Sequence, residues 1–146
     1  MEGSVHIADI YRSEAEGQAF APLAGSPVSA GFPSPADDYL EPPLDLNDYV
    51  KRHPEATFFV RVSGDSMAGA GINSSDILVV DRALEPRPGH IVIAVVDGEM
   101  LVKRLLREQG RWWLAPANEN YPPIEIREGI ELRVWGVVTH VLRTLA

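Results

Sequence analysis

The chain has 146 residues, of which 45% are hydrophobic and 23% charged, a composition that fits one globular domain and excludes a fibrous or wholly disordered protein. Its net charge of -8 at pH 7 argues against direct nucleic-acid binding, because proteins that grip a phosphate backbone carry a basic face. Cysteine is absent, no histidine pair has metal-site spacing, and no apolar stretch is long enough for a membrane span. We therefore expect a soluble, cytoplasmic protein that uses no metal or other cofactor.

The first 55 residues lack sustained helical or strand periodicity, and proline recurs six times between Pro22 and Pro43. This segment is predicted to be an N-terminal arm with little core of its own. Within it, Asp45 is a candidate N-cap for one or two helical turns in the stretch 44–50, which ends before Pro54.

Residues 56–146 have a different texture, with apolar runs of strand length separated by turn residues, which predicts a mainly β domain. The predicted strands are Phe58–Val62, Ile77–Asp81, Ile91–Val96, Met100–Glu108, Trp112–Pro116 and Leu132–Leu145. Asp97-Gly98 and Gln109-Gly110 predict tight hairpin turns, because glycine tolerates the positive φ that such turns require.

A serine follows the first of these strands at a sharp turn. The run Ser63-Gly64-Asp65-Ser66-Met67 continues into Ala68-Gly69-Ala70-Gly71, so glycines on both sides let the backbone bend and let another chain approach closely. The backbone N–H groups of Ser66 and Met67 are candidates for stabilising an oxyanion. Taken alone, such a motif is more often an ordinary turn, so the interpretation of Ser66 as a nucleophile depends on a suitable base.

Histidine is the usual base for a catalytic serine, and none of the four histidines has a distinctive setting. They are His6, His53, His90 and His140.

Lys103 is the more informative candidate. It is one of two lysines in a chain with eleven arginines, and strand alternation places it on one face with Leu101 and Leu105. Burial on that face would lower the pKa of the amine and leave a neutral base, which arginine could not supply. The alternative is a half-buried lysine that extends its ammonium group to solvent.

Three blocks of sequence carry a family resemblance. They are Gly31-Phe32-Pro33-Ser34-Pro35-Ala36-Asp37-Asp38-Tyr39, Ser63-Gly64-Asp65-Ser66-Met67, and Asp97-Gly98-Glu99 leading to Val102-Lys103-Arg104-Leu105. In these blocks the chain resembles the UmuD-type members of the LexA-like self-cleaving peptidases. The likeness extends from about Val28 to the end of the chain, including Trp135-Gly136-Val137-Val138. It implies a partly open β-barrel of the LexA and signal-peptidase type, formed by residues 56–146 and preceded by a flexible, proline-rich arm at 1–55.

The resemblance also implies roles for particular residues. Ser66 matches the family's nucleophile, Lys103 its general base, and Ala30-Gly31 its scissile bond. A second Ala-Gly pair, Ala24-Gly25, is a competing cleavage site, but only Ala30-Gly31 precedes the family-like run that begins at Phe32. The segment between Gly31 and Ser66 spans roughly 100 Å when fully extended, so cleavage within one chain and cleavage between dimer partners both remain open.

By the same resemblance, the expected function belongs to the SOS response. Contact with RecA filaments on single-stranded DNA would stimulate self-cleavage, and the shortened homodimer would assist an error-prone translesion DNA polymerase. The residues before Ala30 are too few and too proline-rich for the helix-turn-helix domain of a LexA-type repressor.

The alternative hypothesis is a catalytically silent, dimeric binding module for a polymerase or RecA. In that case the apolar final strand and tryptophans 112, 113 and 135 would serve assembly, although aromatic residues in strands are more often core.

Overall fold

The computed structural model describes residues 6–12, 20–24 and 40–146. The chain forms two compact units, of which one combines Met1–Ser13 with His53–Ala146 and the other comprises Glu14–Arg52. The described part contains β1 (His6–Arg12), β2 (Phe20–Ala24), β3 (Leu40–Asp45), β4 (Thr57–Ser63), β5 (Ile77–Asp81), β6 (Ile91–Val96), β7 (Glu99–Glu108), β8 (Arg111–Ala115), β9 (Ile124–Glu125), β10 (Leu132–Leu142) and the helix α1 (Leu46–Val50).

The first unit is built on one antiparallel sheet with the strand order β1-β4-β5-β10-β6-β7-β8-β9. A further pairing between His6 of β1 and Leu101 of β7 closes six strands into a ring. The six are β1, β4, β5, β10, β6 and β7. The closure consists of a single residue pair, and β8 and β9 extend the sheet beyond β7. The predicted fold, a mainly β and partly open barrel, is confirmed.

The core consists of two groups of buried side chains, separated by the alternation of side chains along β6 and β7. Ile93 and Val102 pack with residues of β4, β5 and the turn after β4. Their strand neighbours Val92 and Leu101 pack in the second group, with residues of β8 and β10. The two central strands therefore contribute to the core on both faces.

The predicted strands of residues 56–146 are confirmed, with most boundaries within one residue. Both predicted hairpin turns are confirmed as well. Asp97 and Gly98 have φ values of 47° and 84°, and Gln109 and Gly110 have φ values of 50° and 76°. Residues Val96 and Glu99 are paired across the first turn, and Glu108 and Arg111 across the second.

The last strand ends at Leu142, not at the predicted Leu145. The reason is that Arg143 leaves the strand to bind a carboxylate on the loop before β5, as described below. The short strand β9 was also missed, since two residues are too few to give a periodic signal.

The first 55 residues, which show no sustained strand pattern in the sequence, contain three strands in the part that the structure describes. Strand β1 pairs with β4 in the main sheet, and β2 pairs with β3 in a separate two-stranded sheet. Strand β3 includes Pro42 and Pro43, which lack an N–H donor and are tolerated where a strand edge is unpaired. The predicted helical turn is confirmed, since Oδ1 of Asp45 accepts a hydrogen bond from Asn47 N at 3.0 Å at the start of α1.

An ion pair between the exposed Arg143 and the buried Asp76 holds the end of β10 against the loop that follows the Ser66 turn. Arg143 donates from Nε to Asp76 Oδ1 at 2.7 Å and from Nη2 to Asp76 Oδ2 at 2.5 Å. Arg143 Nη2 also donates to the carbonyl oxygen of Gly71 at 2.8 Å. Asp76 is 2% exposed, and the hydrogen bond from Arg143 holds the pKa of this carboxyl below its usual value of 3.8.

Replacing Asp76 by Asn should lower the free energy of unfolding by about 1–3 kcal/mol at pH 7, because the charged hydrogen bonds to Arg143 are lost. A lowered folded-state pKa stabilises the protein above pH 3.8 and loses this effect as pH falls through the lowered value. The deficit of Asp76→Asn should therefore shrink on acidification below about pH 3.8. Urea unfolding between pH 3 and 7 measures it, with exposed Glu128→Gln as the control, and an unchanged stability at pH 7 would contradict the assignment.

Candidate active site

Ser66 lies in a tight turn that connects β4 to a short 3-10 turn at Ala68–Ala70. Glycine begins and ends this segment, with φ values of 99° at Gly64 and 82° at Gly71, a region that side chains with a Cβ rarely adopt. Ser66 and the following Met67 are both 0% exposed. The carbonyl oxygen of Met67 accepts hydrogen bonds from the N–H groups of Ala70 and Ile72, so the turn is closed on itself.

The Ser66 turn is hydrogen bonded to the segment that follows β8. The N–H of Ala117 donates to the carbonyl oxygen of Ser66 at 2.8 Å, and the N–H of Gly69 donates to the carbonyl oxygen of Ala117 at 2.7 Å. A Cβ at position 69 would lie closer than van der Waals contact to that same oxygen of Ala117. Glycine at 69 is therefore what allows the two backbones to approach.

Lys103 lies in the middle of β7 and is 2% exposed. Its neighbours on the same strand face, Leu101 and Leu105, are buried, so the predicted burial of Lys103 is confirmed and the solvent-facing alternative is wrong. Burial lowers the pKa of the Lys103 amine below its usual value, since the charged form is poorly solvated there, and the carboxylate of Glu99 opposes this effect in part.

Two features of the fold bring the segments that carry Ser66 and Lys103 to one region. Met67 and Val102, the immediate neighbours of these two residues, belong to the same group of core side chains. In addition, Ala115 of β8 pairs with Arg104, next to Lys103, and two residues later Ala117 bonds to Ser66. The serine turn is thus connected to the lysine strand through the end of β8.

The histidines have structural contacts of their own. His53 Nδ1 lies 2.6 Å from Oδ2 of the buried Asp81. His90 Nδ1 accepts a hydrogen bond from Arg87 N at 3.1 Å, and His140 Nδ1 lies 2.9 Å from Thr139 Oγ1. The backbone of His6 pairs with Ser63 and Leu101. These contacts favour framework roles for the histidines.

A groove of about 810 Å³ lies beside the β7–β8 hairpin, lined by residues that include Leu106, Trp113, Tyr121 and Pro123. Leu106 and Trp113 are cross-strand partners, and strand alternation places Leu106 on the face opposite Lys103. The groove is therefore on the other side of the hairpin from the candidate base.

The predicted scissile bond, Ala30-Gly31, lies outside the described residues. Of the competing pair, Ala24 is the last residue of β2, and Gly25 also lies outside the described part. Within the residues that the structure describes, no helix is long and apolar enough to cross a membrane.

The contribution of residues 116–121 to the serine turn was not predicted from the sequence. These residues form no regular element, but their backbone and side chains bond to the serine turn. Proline and asparagine are typical of turns, but they give no indication of a partner that lies some fifty positions away in the sequence.

Comparisons with known proteins identify the family of the chain. The family model described as Peptidase S24-like matches residues 22–139. The chain is 52% identical to protein SamA of Salmonella typhimurium over 122 residues, which cover 84% of each chain. It is 44% identical to protein MucA of Escherichia coli over 136 residues, or 92% of each chain. It is also 37% identical to the LexA repressor of Bordetella petrii over 135 residues, which are 92% of this chain and 59% of that repressor.

Replacing Lys103 by Met keeps a long side chain and removes the amine, so it tests the burial of Lys103 independently of any catalysis. A lysine whose folded-state pKa is lowered makes stability rise with pH up to its ordinary value of 10.5, because the unfolded chain binds the proton more readily. Lys103→Met should therefore be at least as stable as wild type at pH 7, with a smaller advantage near pH 10. Urea unfolding at both pH values measures this, and the exposed Arg133→Met is the control. A marked loss of stability in Lys103→Met at pH 7 would contradict the lowered pKa.

Proposed function

The chain belongs to the peptidase S24-like family as a UmuD-like member, and from this premise we propose that it cleaves its own Ala30-Gly31 bond with Ser66 and Lys103. The observation that carries the proposal is the burial of Lys103 in a strand that is linked, through the end of β8, to the turn of the equally buried Ser66. A buried amine that loses its proton more readily is suited to accept the proton of a serine hydroxyl.

In the proposed mechanism, neutral Lys103 takes the proton from Ser66 Oγ as that oxygen attacks the carbonyl carbon of Ala30. The N–H groups of Ser66 and Met67 stabilise the oxyanion. When the Ala30-Gly31 bond breaks, the Lys103 ammonium returns the proton to the departing amine of Gly31. Water then attacks the Ala30 ester of Ser66, with Lys103 again as the base, and restores the free hydroxyl.

The burial of Ser66 supports cleavage of the protein's own arm over cleavage of free peptides. A hydroxyl that is 0% exposed is poorly accessible to peptides diffusing in solution. A segment of the same chain or of a dimer partner is held nearby at a high effective concentration, so weak docking of the arm suffices. In this proposal residues 1–55 form the arm that contains the cleavage site, residues 56–146 form the peptidase domain, and β1 of the arm pairs with β4 of that domain.

The proposed role is in the SOS response. The likeness to SamA and MucA, and the lower likeness to a LexA repressor, support a UmuD-like protein over a repressor. We place the protein in the cytoplasm as a homodimer, activated for cleavage by RecA filaments on single-stranded DNA. The shortened dimer then assists a translesion DNA polymerase. The net charge of -8 fits a subunit that contacts proteins and leaves DNA binding to its partners.

Self-cleavage should accelerate with rising pH as Lys103 loses its proton, and it should level off below pH 10.5 because burial lowers the pKa of this amine. Ser66→Ala and Lys103→Met should each abolish the reaction. Incubation of the purified full-length protein from pH 7 to 11, with and without RecA filaments, followed by mass spectrometry, measures these rates.

Matched controls are available within the chain, since Ser74→Ala removes an exposed hydroxyl and Lys51→Arg changes the other lysine. Both variants are expected to cleave. Normal cleavage by Ser66→Ala or Lys103→Met would exclude the Ser-Lys mechanism, and an uncut wild type under all conditions would favour the catalytically silent binding module.

The position of the cut is tested by enlarging one small residue at each Ala-Gly pair. Ala30→Trp should reduce cleavage at least about 100-fold, because a large side chain next to the attacked carbonyl disturbs the near-attack geometry. Ala24→Trp should leave the rate near that of wild type. The mass and N-terminal sequence of the product, expected to begin at Gly31, identify the bond, and a product that begins at Gly25 would move the site.

A further inference from the structure

Two hydrogen bonds from residues 117–118 fix the peptide groups on both sides of Ser66. On the C-terminal side, the N–H of Ala117 donates to the carbonyl oxygen of Ser66 at 2.8 Å. On the N-terminal side, Asn118 Nδ2 donates to the carbonyl oxygen of Asp65 at 3.1 Å. One short segment therefore holds both peptide groups that flank the Cα of Ser66.

The side chain of Asp65 adds a third contact to the same segment. The hydroxyl of Tyr121 donates to Asp65 Oδ1 at 2.6 Å, across 56 positions of sequence. The segment itself is folded locally, because Asn118 Oδ1 accepts from Asn120 N at 3.0 Å and the carbonyl of Asn118 accepts from Tyr121 N at 3.1 Å. Residues 117–121 therefore form a compact loop that is hydrogen bonded to Asp65, the residue before the proposed nucleophile.

This loop follows directly from the strand that pairs with the lysine strand. Strand β8 ends at Ala115, which pairs with Arg104 in β7, adjacent to Lys103. The loop at 117–121 is therefore connected to β7 at one end, through the sheet hydrogen bonds of β8, and it is hydrogen bonded to Asp65 and Ser66.

We infer that Tyr121 is a positioning residue for Ser66, acting through Asp65 to hold the serine at a fixed place relative to the lysine strand. The inference deepens the proposed self-cleavage and rests on it. Asp65 is exposed to solvent, so its hydrogen bond to Tyr121 contributes little to overall stability, and its removal should not unfold the protein. Its effect should fall on the geometry of the serine turn, where small displacements of a reacting group cost large factors in rate.

The test is the pH profile of self-cleavage in full-length Tyr121→Phe, which deletes the hydroxyl and keeps the ring. The high-pH plateau of the first-order rate constant should fall on the order of 10- to 100-fold. The pH of half-maximal rate should not move, because the surroundings of Lys103 are unchanged, and the thermal midpoint should stay within a few degrees of wild type. Tyr49→Phe deletes the hydroxyl of an exposed tyrosine in α1 and is the matched control, expected to cleave at the wild-type rate.

Two variants of Asp65 show whether Tyr121 acts through this residue. Asp65→Ala removes the acceptor and should lower the plateau to a similar degree, and combining it with Tyr121→Phe should lower it little further. Asp65→Asn keeps a carbonyl acceptor for the Tyr121 hydroxyl and should retain most of the activity.

These experiments distinguish a failure of the positioning role of Tyr121 from a failure of the proposed self-cleavage. If wild type cleaves and Tyr121→Phe cleaves equally fast, the positioning role is wrong and the peptidase stands. A slowed Tyr121→Phe with a shifted half-maximal pH, or with a clearly lower thermal midpoint, would assign Tyr121 a general structural role instead. Independent, multiplying effects of the Tyr121 and Asp65 substitutions would also overturn the route through Asp65. A wild-type protein that never cleaves would remove the proposed function, and the inference with it.

Discussion

The central constraint on this fold is a lysine amine held among leucines in the middle of a core strand. An ammonium group in such a place lacks the water that would solvate it, so the neutral form is favoured and the pKa falls. The proposed chemistry depends on that effect, because a protonated lysine cannot take a proton from serine. Arginine at position 103 could neither become neutral on burial nor take a proton from serine, since its guanidinium group stays charged under all ordinary conditions.

The architecture meets this constraint by giving β7 a core on both faces. Val102 packs on one side with Met67, and Leu101 and Leu105 pack on the other, so Lys103 has no adjacent solvent-facing side to reach. The single bridge between β1 and β7 extends the sheet around this strand. A sheet with one wet face would leave alternate residues exposed, whereas three consecutive residues of β7, 101 to 103, are buried here.

Features that depend on neighbours in sequence were predictable, and features that depend on distant pairing were not. Asp97-Gly98 and Gln109-Gly110 determine their turns locally through positive φ, and the alternation around Lys103 placed it on one face with two leucines that are buried in the structure. Strand β1 is stabilised by pairing with β4, some fifty positions away in the sequence, and no local sequence pattern predicted it. The loop at 117–121 was missed for the same reason, because its partners Asp65 and Ser66 precede it by a similar distance.

The strand that carries the buried lysine and the turn that carries Ser66 are stabilised by different interactions. Removing a lysine from water opposes folding, so packing elsewhere must compensate, and two tight core groups surround the strand that carries it. The serine turn has no comparable core beneath all of its residues, since Asp65, Ala68 and Gly69 are exposed. Its geometry is instead set by hydrogen bonds from residues 117–121 on one side and from Arg143 at Gly71 on the other. The two halves of the proposed dyad are thus stabilised differently: apolar packing favours the neutral form of the base, and directional hydrogen bonds hold the backbone of the turn that carries the nucleophile. Substitutions in the first set should change the pH at which the protein acts, whereas substitutions in the second should change how fast it acts at any pH.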